Sequence, residues 1–239
     1  MGILKRQYHS TMRRAYGHAL AEARRALAEG GRVLDCGAGH GQTFDQLGDI
    51  APQRYTGVEW SPDLAEAGAA RGLDIFPHDL NTPLPFEDGA FRCIVSLSVL
   101  EHLLKGCAYL RECRRVLGNG GTLVVLTPNI ATYFSVLQLL LGRMTSSGPH
   151  PDSQVLAQTH FNVLSKAAAG QLDMEDDTPS HRHLVVFSYA VLKRFLRLAG
   201  FSDVRGAGFG YYPFPVAVQP LLERADPWHC HQMVFTARR

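Results

Sequence analysis

The chain has no CxxC pair, no long apolar run and almost no charge imbalance, and each absence removes a class of protein. Its five cysteines (Cys36, Cys93, Cys107, Cys113 and Cys230) are odd in number and spaced unlike zinc ligands. That argues against a disulfide framework or a zinc knot, and for a reducing compartment. Cys93, Cys107 and Cys113 sit within apolar patterns and are expected in the core. No stretch approaches about 18 uninterrupted apolar residues, and "FSVLQLLLG" is too short to span a bilayer. The opening "MGILKRQYHS" lacks the apolar centre of a signal peptide. A cytoplasmic protein without membrane insertion is therefore expected. The 24 Lys and Arg exceed the 22 Asp and Glu by only two. Lys5, Arg6, Arg13, Arg14, Arg24 and Arg25 do cluster near the start, but spread along a helical pattern they read as a solvated face, so no nucleic-acid partner is expected.

What is present is regular alternation. The length of 239 residues suits one domain, a core with an appended cap. Residues 10–29 are rich in Ala, Arg and Glu and stop at Gly30-Gly31, which predicts a helix. Strands are then predicted at 32–36, 54–59, 73–76, 91–96 and 121–127, with helices between them at 42–49, 62–71 and 103–117. In the last of these, Leu103, Cys107, Leu110 and Leu117 recur at helical spacing. Strand and helix in turn imply an α/β fold, a doubly wound parallel sheet covered on both faces. Such sheets bind ligands outside the carboxyl ends of their strands, at the point where strand order reverses. "TPNIATYFSVLQLLLGR" reads as a strand end and an apolar helix, 143–180 as irregular, and "FSYAVLKRFLRLAGF" as a helix with Tyr189, Leu192, Phe195, Leu196 and Ala199 on one face. Two final strands are predicted at 202–210 and 230–237, and no repeat is found. The single domain thus divides into an N-terminal helical segment (1–29), a ligand-binding core (30–130), an insert (131–187) and a closing segment (188–239).

The stretch "VLDCGAGHGQT" sets three glycines, Gly37, Gly39 and Gly41, after Asp35 at the end of the first strand. Glycine allows positive φ and close approach to the backbone. The spacing DxGxGxG differs from the GxGxxG of dinucleotide sites, and no lysine follows, unlike a P-loop. A tight turn packing helix on sheet is the plainer alternative. Glu59 ends the second strand 24 residues after Asp35, where an acid can accept both hydroxyl protons of a ribose. Asp79 follows the third strand, where a carboxylate can accept from an adenine amine. The order of these three acids favours an adenosyl ligand without phosphates.

The motifs "VLDCGAGHG", "YTGVEWSPD", "HDLNTPLPFEDGAFRCIVSLSVLEHL" and "LRECRRVLGNGGTLVVLTPN" resemble, in order, those of class I S-adenosylmethionine-dependent methyltransferases, over residues 30–130. The resemblance implies a seven-stranded Rossmann-like sheet whose last strand is antiparallel, with S-adenosylmethionine as cofactor and S-adenosylhomocysteine as product. It implies that Asp35, Gly37, Gly39 and Gly41 border the methionine moiety, Glu59 the ribose, and Asp79 with Leu80 the adenine. Trp60 is implied to flank the adenine face and Ser96 to lie near the sulfonium. "TPNIATYFSVLQLLLGRM" also resembles the MetW-type proteins linked to methionine biosynthesis, which keeps open a non-catalytic accessory that binds the cofactor. A nicotinamide-dependent oxidoreductase is a further rival, against which the glycine spacing and Asp79 argue.

An alcohol acceptor generally needs a base, and histidine is the natural one. His102 follows the fourth strand, and His183, in a run "HLVVFS" similar to one found in small-molecule methyltransferases, precedes a helix; both are candidate catalytic residues. His181 and Phe187 in the same run, and Asn129 after the fifth strand, are candidate substrate contacts. Ubiquinone-pathway O-methyltransferases hold a divalent metal with an E-x-x-E-H run. Here Ser98 takes the first position, leaving Glu101 and His102, a poor Mg²⁺ site, so no metal is expected. The expected reaction is methyl transfer to a small-molecule acceptor, O-methylation of a sugar, lipid or secondary metabolite.

Overall fold

A computed structural model describes residues 3–145, 147–149 and 183–239, with only the backbone for residues 3–5. The insert's His150, His160 and His181, and most of the predicted irregular segment, lie outside the described residues. Helix α1 (Ile3–Leu27) precedes a core of β1 (Val33–Cys36), α2 (Gln42–Leu47), β2 (Tyr55–Glu59), α3 (Pro62–Ala70), β3 (Asp74–Pro77), β4 (Phe91–Leu97), α4 (Gly106–Val116) and β5 (Leu117–Pro128). Then come α5 (Tyr133–Leu140), α6 (Tyr189–Leu198), β6 (Ser202–Phe209), α7 (Gln219–Ala225) and β7 (Gln232–Arg238).

The seven strands lie in the order β3-β2-β1-β4-β5-β7-β6. Strands β1 to β5 pair in parallel, and β7 runs antiparallel to both β5 and β6. The fold class read from the sequence is the one observed. Alternation along the strands sorts the core into two layers. Leu34, Ile94 and Leu123 join α4 and α6 on one face, while Val33, Val95 and Val124 join α1 and α3 on the other. Ala15, Ala19 and Ala23 of α1 are fully buried at i, i+4 spacing, and their small size lets the helix lie close on the sheet. Arg14 holds α1 to α7 through two hydrogen bonds to the Glu223 carboxylate, at 2.6 and 2.7 Å.

Three details depart from the sequence reading. Strand β5 begins at Leu117, but its register with β4 jumps between Leu117 and Thr122, so the regular ladder starts near the predicted point and "GNGG" forms an irregular lead-in. Cys107 is exposed: the buried face of α4 is Gly106, Tyr109, Leu110, Cys113 and Val116, because the helix starts at Gly106, after a short 3-10 turn. Helix α7 was not anticipated. Among the described residues no helix is long and apolar enough to cross a membrane. Strand order reverses between β1 and β4, so the chain leaves their carboxyl ends in opposite directions and opens a crevice there.

Candidate active site

One side of that crevice is the turn after β1. Asp35 is 1% exposed and accepts a hydrogen bond from the Tyr55 hydroxyl at 2.6 Å. Burial pushes its carboxyl up to about 6, against the stabilising hydrogen bonds of Tyr55 and Thr43. The three glycines serve different ends. A Cβ at Gly37 would meet Val99 at 2.5 Å, and one at Gly41 would meet Leu73 at 2.4 Å, so these two are required by packing. A Cβ at Gly39 would meet nothing within 4 Å, although its φ of +54° is left-handed. At Gly39 alone the backbone faces open space. Its N–H donates to Glu59 Oε2 at 2.8 Å, and Ser61 N–H donates to Glu59 Oε1 at 3.0 Å. Each carboxylate oxygen thus has a fixed position and keeps capacity to accept from a ligand hydroxyl.

Asp79 is exposed and closes a turn, its Oδ1 accepting from Asn81 N–H and Nδ2 at 2.9 Å. Leu80 is buried in the core beside it, and Trp60 stands 52% exposed next to Glu59. Ser96 is placed differently from the sequence reading. Its side chain is fully buried, with its hydroxyl beside that of Tyr109 of α4. It presents no side chain to the crevice, because residues 94 and 96 share the strand face that α4 covers.

The other side of the crevice follows β4. Ser98 has a left-handed φ of 56° and accepts a hydrogen bond from the Tyr16 hydroxyl at 3.3 Å, which brings α1 to this end of the sheet. Glu101 and His102 lie on the 3-10 turn Leu100–His102. Glu101 is 1% exposed, and its Oε2 accepts from Thr127 Oγ1 at 2.8 Å. Burial pushes this carboxyl up to about 7, against hydrogen bonds from its own backbone and Thr127. The Glu101 carbonyl accepts from Leu184 N–H at 2.7 Å and Val185 N–H at 3.2 Å, which returns the insert to this turn. His183 thereby meets His102, their ring centroids 5.3 Å apart and their planes at 69°.

Of the candidate substrate contacts, Asn129 belongs elsewhere. It is fully buried, its amide donates to the Trp228 and Cys230 carbonyls at 2.8 Å, and its Oδ1 accepts from Ala131 N–H at 3.0 Å. With every polar atom engaged, it ties β5 to the turn before β7 and offers nothing to an acceptor. Phe187 packs edge-on against Phe195 at 5.5 Å and borders the core. Tyr16 and Thr127 carry no local sequence signal, and Ser98 stands out in the sequence only as the residue at the first position of the E-x-x-E-H run.

The fold and this crevice define the class: the seven-stranded sheet, the turn with open Gly39 and the anchored Glu59 are those of a class I S-adenosylmethionine-dependent methyltransferase. The chain belongs to the methyltransferase-domain family, whose model matches residues 8–205. It is 34% identical over 103 residues to a probable S-adenosylmethionine-dependent methyltransferase of Mycolicibacterium smegmatis, a match covering 42% of this chain and 39% of that one. It is 30% identical over 106 residues to the ubiquinone biosynthesis O-methyltransferase of Xanthomonas oryzae, covering 42% and 44%. These matches span about two-fifths of the relatives' length. A solved structure from Thermotoga maritima, described as a possible histamine N-methyltransferase, shares the fold with a TM-score of 0.56 at 17% identity, over 98% of this chain and 94% of that one. S-adenosylmethionine is the cofactor these likenesses imply. The residues present fit it: the open backbone at Gly39 suits a close-lying zwitterion, and Glu59 suits a diol.

Proposed function

We propose that this chain transfers a methyl group from S-adenosylmethionine to a hydroxyl of a small molecule: a sugar, lipid or secondary metabolite. The observation that supports it is the Glu101–His102–His183 cluster, gathered at the carboxyl end of β4 across the crevice from the glycine turn. When bound, S-adenosylmethionine supplies a methyl already activated by its sulfonium. What the chain adds is placement and proton handling. Asp35, the Gly37–Gly41 turn, Glu59, Trp60, Asp79 and Leu80 hold the cofactor side. His102 and His183 face the acceptor, so its oxygen is held in line and its proton leaves at this cluster. The hydrogen bonds from Leu184 and Val185 to Glu101 support the insert (131–187) as a cap over the acceptor. The likeness to ubiquinone O-methyltransferases favours oxygen as the methylated atom.

Calorimetry with S-adenosylmethionine and S-adenosylhomocysteine tests the cofactor half, and failure of both to bind would sink it. Transfer of radiolabelled methyl to a panel of sugars, phenols and hydroxylated lipids tests the acceptor half. Label appearing only on amines would overturn the oxygen assignment.

A further inference from the structure

Glu101, His102 and His183 each bring one ligand atom, a carboxylate oxygen or an imidazole nitrogen, and all three atoms lie within 4.8 Å of one another. We propose that this cluster binds a divalent transition-metal ion. The sequence reading rejected a metal because Ser98 leaves only Glu101 and His102 in the local run. The third ligand comes instead from His183, beyond β5 and α5 and near the far end of the insert, which no local motif announces.

Three features mark a built site. The backbone hydrogen bonds from Leu184 and Val185 to the Glu101 carbonyl, at 2.7 and 3.2 Å, lock the segment carrying His183 onto the turn carrying the other two ligands. Thr127 Oγ1 donates to Glu101 Oε2 at 2.8 Å and so orients the carboxylate. The Ser147 carbonyl lies 3.4 Å from His183 Nδ1, so a proton held there leaves Nε2 as the ligating nitrogen. Outer partners of this kind fix ligand orientation and imidazole tautomer in metal centres. Among the described residues no lysine or arginine pairs with the buried Glu101 carboxyl, and a cation there would favour its ionised form.

The donor set names the metal class. Two imidazoles and one carboxylate suit zinc, manganese, iron or cobalt, whereas magnesium demands an octahedron of oxygens. Three protein ligands leave positions open for water or an acceptor oxygen. A hydroxyl bound there would be acidified by the ion and release its proton to water at the cluster, with the histidines holding the metal. This last point rests on the proposed acceptor site; metal binding itself does not.

The test uses untagged protein stripped with a chelator, then titrated with Co²⁺ and Zn²⁺ by calorimetry and visible absorption. One ion per chain is expected, with cobalt d–d bands of a low-symmetry nitrogen–oxygen site. Glu101→Gln and His183→Gln should each weaken Co²⁺ binding by at least about tenfold to a hundredfold, and Thr127→Val by about tenfold. S-adenosylhomocysteine binding and melting temperature serve as checks of folding. Should Glu101→Gln fail them, His183→Gln and Thr127→Val carry the test. Wild-type protein that binds S-adenosylhomocysteine but no cobalt overturns the proposal, as does cobalt affinity unchanged in folded His183→Gln. Cobalt binding that depends on His183, without methyl transfer to any hydroxyl, keeps the metal site and removes the O-methylation reading.

Discussion

At the proposed cofactor end, Asp35, Gly39 and Glu59 belong to one β-α-β unit and are fixed from within or directly beside it, Glu59 by the Gly39 and Ser61 N–H groups and Asp35 by the Tyr55 hydroxyl. At the proposed acceptor end, Tyr16, Ser98, Glu101, Thr127 and His183 come from α1, the turn after β4, β5 and the far side of the insert. The first end is local, its parts close in sequence; the second is assembled from side chains distant in sequence. A local site tolerates change elsewhere in the chain, whereas an assembled one depends on everything that docks its parts. The two ends should therefore fail separately when mutated.

The largest effect is expected at Gly39. Gly39→Arg fills the open space against the turn and should remove S-adenosylhomocysteine binding below detection by calorimetry, with only about 1–2 kcal/mol of strain from the left-handed φ. Gly37→Ala should do the reverse, costing roughly 1–3 kcal/mol of stability in urea through its clash with Val99. If both lose binding and stability alike, the distinction between open and packed glycines is wrong.

Next is His183→Ala, expected to lower turnover by roughly a hundredfold or more while leaving S-adenosylhomocysteine affinity intact. Equal loss of both would show that the two ends are not separable.

Asp35 gives a stability effect with a defined sign. Its folded carboxyl, at about 6, lies above its ordinary value of 3.8, so the native state holds this proton more tightly than the unfolded chain does. Its contribution is greatest below about pH 4, falls as pH rises to about 6 and is level above. The loss is about 3 kcal/mol in all. Asp35→Asn, still an acceptor for Tyr55, should flatten that part of the pH–stability curve and be more stable than wild type at pH 7.5, with weaker cofactor binding. Denaturant titrations of the two proteins across this range decide it. A difference that grows with falling pH would refute the sign.

A smaller effect is expected from Arg14→Met, which breaks a paired guanidinium against a carboxylate that also accepts from Gly210 N–H. A cost of roughly 2 kcal/mol is expected, with a raised KM for the acceptor as α1 loosens and cofactor affinity unchanged. Smallest is Tyr16→Phe, which deletes one hydrogen bond to Ser98 and should cost about 1 kcal/mol or less. Its acceptor KM, compared with that of Arg14→Met, separates the position of α1 from the hydroxyl it carries.

Much of this architecture was legible in the residues themselves. Alternation of apolar runs and helical patterns gave the sheet, and the glycine turn with the acids after β1, β2 and β3 gave the cofactor end, because all of these are short-range regularities. Burial of individual side chains was less legible. Cys107 reads as core at helical spacing with Leu103, yet a shift in where α4 begins turns it to solvent. Asn129 and Ser96 sit at plausible strand ends, but their partners, Trp228, Cys230 and Tyr109, come from elements whose docking a local pattern does not encode.

The sequence by itself determined the class of fold and pointed to the strand ends proposed to hold the cofactor, since strand period, turn chemistry and acid spacing act over a few residues. Only the tertiary structure decided which glycine of the turn faces open space, which strand-end polar groups are sealed away, and that His183 stands against Glu101 and His102. Those outcomes depend on side chains from separate elements competing for the same space and the same hydrogen bonds, and that competition is settled only when the elements pack.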